Sequence, residues 1–109
     1  MKINTQIVLE NLAGETLKVG EEELTLGKAL SNIIVSVEAG GKMKLFLLAQ
    51  RFFKDKIVEL DNADFNLVKE AVKTTKIYNA LVAGQVELLL ENIKDDSVQN
   101  PLKGDKTGR

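Results

Sequence analysis

Four stretches between residues 26 and 93 place apolar residues three and four positions apart. That spacing puts them on one side of an α-helix, which can then be stable only by burying that side against something else. In the first stretch the stripe is Leu26, Ala29, Leu30, Ile33, Ile34 and Val37, with Lys28, Ser31, Asn32 and Glu38 opposite. Thr25 stands where a hydroxyl can cap the helix, and Gly40-Gly41 where the chain can reverse. A second helix is predicted over residues 42–54. Its main stripe is Leu45, Leu48, Ala49 and Phe52, widened by Phe46 and Phe53, with Lys44, Arg51 and Asp55 on the wet side and Leu47 near them. A third follows the Asp61/Asn62 cap and turns Phe65, Val68, Ala71 and Val72 inward, with Leu67 at the margin. A fourth runs from about Tyr78 to Ile93, with Val82, Val86, Leu89, Leu90 and Ile93 as its stripe and Leu81 and Leu88 on its flank. Gly84 lies within that fourth helix, where glycine costs about 1 kcal/mol relative to alanine. The close approach of another helix would offset this.

The first 25 residues read differently. Ile3, Thr5, Ile7 and Leu9 alternate along an extended chain, Asn11–Glu15 with Ala13-Gly14 signals a turn, and Leu17 and Val19 alternate again. This predicts a β-hairpin, with Gly20 breaking its second strand. Residues 57–60 are β-prone and make either a third strand or an extended connection. The expected fold is α+β and mainly α: an N-terminal hairpin packed on about four helices, one domain over residues 1–94, and a flexible polar tail over 95–109.

With 109 residues and 44% hydrophobic content, one domain can bury a core. The chain has no cysteine and no histidine. Disulfides, thiolate nucleophiles, cysteine-type zinc sites and Ser-His or Cys-His catalysis are therefore excluded. The remaining catalytic groups are Asp, Glu, Lys, Tyr, Ser and Thr, and no pair of them is visibly arranged. The expectation is a protein that is not an enzyme and carries no cofactor. Residues 1–15 lack a basic start followed by a long apolar run, and no apolar stretch approaches the ~20 residues of a membrane span. A cytoplasmic protein is expected.

The acidic motifs have structural explanations. Asp61, Asn62 and Asp64 fail the EF-hand pattern, because Ala63 and Asn66 stand where a ligand and the glycine belong. They fit a capping box with Asp in place of Glu. Glu21-Glu22-Glu23 are adjacent, so their carboxylates point apart and make a solvated acidic turn. A Lys-Thr step in residues 104–109 lacks the rest of a phosphate loop.

Net charge is −1 but unevenly spread. Residues 10–23 hold Glu10, Glu15, Glu21, Glu22 and Glu23 against Lys18. Residues 42–56 hold Lys42, Lys44, Arg51, Lys54 and Lys56 against Asp55. The simplest reading is a pair of solvated faces; the functional one is steering of a partner or a second copy. Lys44, Leu47, Arg51 and Lys54 form the candidate partner-binding surface, suited to an acidic protein surface or, through an oligomer, to a phosphate backbone. Against it stands burial of Leu47 under the hairpin. The wide apolar arcs of the second and fourth helices also raise a homodimer or higher oligomer, through Phe46 and Phe53 or through Leu81 and Leu88.

The run Leu24-Thr25-Leu26-Gly27, the Leu48-Ala49 step in a Lys-rich helix, the segment Val58–Asp64 and the Val82-Ala83-Gly84-Gln85-Val86 helix together resemble short uncharacterised proteins of tailed bacteriophages and prophages. The resemblance spans most of residues 1–93. It carries no site residues. It implies expression inside an infected bacterium and a small accessory protein that binds a host or phage component. Two alternatives remain beside that reading: a weak nucleic-acid-binding oligomer, and a structural or assembly component of the virion.

Overall fold

The N-terminal residues have more work than a hairpin would give them, as the computed structural model of the chain shows. It describes residues 1–38 and 41–93. The elements run β1 (Lys2–Asn4), β2 (Lys18–Val19), β3 (Glu22–Glu23), α1 (Leu26–Val35), α2 (Lys42–Lys54), β4 (Ile57–Glu59), α3 (Asn62–Thr74) and α4 (Ala80–Glu91). The fold is α+β and mainly α, as the periodicities predict. The expected tail over residues 95–109 lies outside the described residues.

The predicted hairpin is present only around its turn. Glu10 bridges Thr16, and the Asn11 N–H donates to the Glu15 carbonyl at 2.8 Å. Gly14 adopts a φ of 85°, the left-handed conformation that this tight turn needs. Before the turn, β1 leaves its expected partner and pairs antiparallel with β4, with Ile3 opposite Val58. Both side chains are fully buried, so the β-prone run at 57–60 is a strand and not a mere connection. After the turn, the chain reverses at Gly20 (φ 66°), and β2 pairs with β3 in a second, smaller sheet.

The alternation in residues 3–9 points inward as expected, with Ile3, Thr5 and Leu9 buried. The backbone of the same segment completes α1. The first N–H groups of a helix have no partner within it. Here the Leu26 N–H donates to the Ile7 carbonyl at 2.7 Å, the Gly27 N–H to the Thr5 carbonyl at 3.0 Å, and the Lys28 N–H to the Thr25 hydroxyl at 3.3 Å. Gly27 makes this possible. A Cβ there would stand 2.6 Å from Thr5 Cβ and would overlap the Phe52 carbonyl oxygen.

α1 is the centre of the molecule and packs against α2, α3 and α4. Leu26, Ala29, Leu30, Ile33 and Ile34 are all buried. So is Ser31, which the periodicity assigns to the polar side; α1 is covered over a wider arc than its pattern announces. The helix ends at Val35, before the glycine pair, with the Ser36 N–H and hydroxyl both donating to the Ile33 carbonyl. Asp61 caps α3 by accepting from the Asp64 N–H at 2.8 Å. Asn79 caps α4 by accepting from Leu81 and Val82, so that helix begins two residues after Tyr78. Val82, Val86 and Leu90 seat α4 on the core. The close packing expected at Gly84 is not found among the described residues: beyond its own helix none of them lies within 4 Å of where a Cβ would stand.

Candidate interaction surface

α2 turns Leu45, Leu48, Ala49 and Phe52 toward the core, all buried. A helix with this inner stripe has its outer side centred half a turn away, at Met43, Gln50 and Lys54. On that side and its margins four large apolar residues meet solvent: Met43 is 77% exposed, Phe53 62%, Phe46 55% and Leu47 49%. Phe46 and Phe53, read from sequence as widening the buried stripe, lie outside it. The reason is coverage: α1 is the main neighbour of α2, with β4 a lesser one, and together they screen a single side. Leu47 is not covered by the hairpin, so the simplest explanation for an apolar residue among these cations does not hold.

The four residues singled out from sequence differ in their engagement. Lys44 Nζ lies 2.7 Å from Asp64 Oδ1 on α3. A reciprocal capping box would return the Asp64 carboxylate to Asp61; it meets Lys44 instead. The hydrogen bond to Asp64, and then its charge, holds the Lys44 ammonium above the ordinary lysine value of 10.5. Arg51 donates from Nη2 to the Glu59 carbonyl at 2.9 Å, tying α2 to β4. Lys54 is exposed in the last turn, where a cation also favours the negative end of the helix dipole. Lys44, Leu47 and Arg51 meet at one depression of about 330 Å³, closed by Met43, Leu48 and Asp64. Lys54 is not part of it.

Met43 is the residue that sequence reasoning left out of the site, and Phe46 and Phe53 entered it only as a face for self-contact, apart from the Lys44, Leu47, Arg51 and Lys54 surface. Their signal was a second repeat, 43–46–50–53, with steps of three, four and three that place one row on the far side of the helix from Leu45 and Leu48. A second apolar feature, a cleft of about 270 Å³, opens between α1, α2 and α3 and is lined by Ile34, Leu45, Leu67 and Ala71 among others.

Among the described residues no group of three or more acidic, histidine or cysteine side chains gathers as a metal site would need. No described helix is long and apolar enough to cross a membrane.

Comparison with protein-family models, with curated proteins and with solved structures finds no match.

What the surface offers is therefore read from its own chemistry. It combines two aromatic rings, a thioether and a leucine with guanidinium and ammonium groups at the edge. Aromatic residues, methionine and arginine are the types enriched where proteins meet proteins. A methionine and two phenylalanines give area that adapts its shape, and the cations give orientation.

Proposed function

We propose that this protein acts by binding another protein through the outer face of α2, without catalysing a reaction. The observation that supports it is the exposure of Met43, Phe46, Leu47 and Phe53 on one helix of thirteen residues. Isolated exposed apolar residues are ordinary, but a row of them on one element marks a surface that awaits cover. Lys44, Arg51 and Lys54 border that row and favour a partner bearing carboxylates. The phage resemblance suggests the setting: the cytoplasm of an infected bacterium, with a host or phage protein as partner. A nucleic acid fits this surface less well, since Lys44 already faces Asp64 and the apolar row offers a phosphate backbone nothing.

The test is retention of a defined partner from bacterial lysate on the immobilised full-length protein, compared with Leu47→Asp and Arg51→Glu variants. The expected result is a partner held by the native protein and lost with either variant. Retention indifferent to both substitutions, or no retention of any protein, an added second copy of this chain included, would overturn the reading. Binding of a labelled oligonucleotide that weakens steeply with salt would move the assignment to nucleic acid.

A further inference from the structure

A second surface on the molecule complements the α2 face in both shape and charge. α4 and the Asn11–Glu15 turn enclose a groove of about 390 Å³. Gly84 lies in its lining, Leu88 rises on one side, 62% exposed, and Leu12 on the other, 97% exposed. The groove is preformed. Gln85 Oε1 accepts the Glu10 N–H at 3.0 Å while its Nε2 donates to the Glu10 carbonyl at 2.8 Å, pinning the turn to the helix. Gly84 is the feature that the isolated molecule leaves unexplained. In mid-helix it sacrifices stability, and among the described residues nothing approaches it closely enough to require the missing side chain. Such a position suits a helix arriving from outside.

Charge selects which helix. α4 carries no cation; its Glu91 meets Lys69 of α3 at 3.2 Å, its Glu87 is in no ion pair among the described residues, and Glu10 and Glu15 flank the turn beside it. α2 carries Lys42, Lys44, Arg51 and Lys54 and no carboxylate. With Lys44 paired to Asp64, two α2 helices face to face would still set Lys42, Arg51 and Lys54 against their own copies, which opposes a symmetric α2–α2 dimer. α2 against the α4 groove sets opposite charges together. The lengths also agree: residues 43–53 span about 15 Å of helix, and residues 80–88 about 12 Å. Within one molecule the two surfaces cannot meet, because α2 and α4 each pack on α1 and have no substantial packing on one another.

We propose that the occupant of the α2 face is a second copy of this chain, with α2 of one molecule lying in the α4 groove of the next. This rests on the reading of α2 as a docking face and names its partner. The row Met43, Phe46 and Phe53 enters the groove over Gly84, between Leu12 and Leu88. Because the two surfaces differ, the contact is head-to-tail, and it continues into a ring or an open chain.

Sedimentation velocity of the full-length protein from about 1 µM to about 1 mM covers the range of such contacts. The native protein is expected to form species beyond the monomer that dissociate as salt is raised. Phe46→Glu breaks the inserting row, and Gly84→Arg fills the groove with a cation. Each alone should weaken association by about tenfold or more. Both positions are exposed, and arginine suits a helix better than glycine, so thermal melts should show both variants folded. An equimolar mixture of the two retains one intact half-site on each partner. It should give a 1:1 dimer and nothing larger. A native protein that stays monomeric throughout overturns the proposal. So does assembly that Gly84→Arg leaves intact, or a mixture that stays monomeric. If a lysate partner is still lost with Leu47→Asp in those cases, α2 remains a docking face and only the identity of its occupant is wrong.

Discussion

α1 and α2 follow one another in the chain and pack together, yet they occupy different environments. α1 is enclosed by three helices and by the backbone of residues 5–7, and even Ser31 on its polar side is buried. α2 is screened on one side and shows Met43, Phe46, Leu47 and Phe53 to solvent. Both sequences announce an amphipathic helix. The difference lies in the number of neighbours, which a helix's own pattern does not contain. An enclosed helix is where substitutions should cost stability, and a half-covered one is where they should cost association.

That contrast can be broken or sharpened by measured stability. The largest effect is expected in α1. Leu30→Ala removes a fully buried side chain from the middle of the core and should cost about 3 kcal/mol by urea unfolding. A loss under about 1 kcal/mol would mean that α1 is less enclosed than described. Next comes Gly27→Ala, which forces a methyl group against Thr5 and the Phe52 carbonyl. It should cost about 2 kcal/mol, the scale of an overpacked site, and lower Tm by several degrees. The other helical glycine has the opposite sign. Gly84→Ala meets open space in a helix interior and should add just under about 1 kcal/mol to the monomer. A destabilisation there would reveal a close neighbour of Gly84 within the same chain. Smallest of all is Phe46→Ala on the open side of α2. Despite removing an aromatic ring it should change monomer stability by no more than about 0.5 kcal/mol. A loss of about 3 kcal/mol would place that ring in the core and remove the docking face.

Much of the fold was legible because it is local. The bounds of α2, the caps at Thr25 and Asp61, and the inward residues of α3 follow from spacing and from side-chain oxygens one turn before the N–H groups they accept. The sheet was not. β1 pairs with β4 across more than fifty residues, and strand alternation states which face is buried but not which strand lies alongside. The candidate site was legible in part. Lys44, Leu47 and Arg51 do share a depression, but that Lys44 meets Asp64 depended on α3 folding back beside α2.

The two glycines mark the boundary. Both stand within a helix, where a glycine leaves the backbone free to be approached, though the sequence alone points to such an approach only at Gly84. Periodicity of leucine, isoleucine and valine determined that there would be four helices and which side of each would seek cover, because burial of a stripe is a property of one segment. The folded chain alone decided that Gly27 would be met by Thr5 and the Phe52 carbonyl, that Gly84 would stay open to the other described residues, and that Phe46 and Phe53 of α2 would face outward. Those outcomes depend on where distant segments come to rest, and contact between distant segments is not written in the spacing of either one.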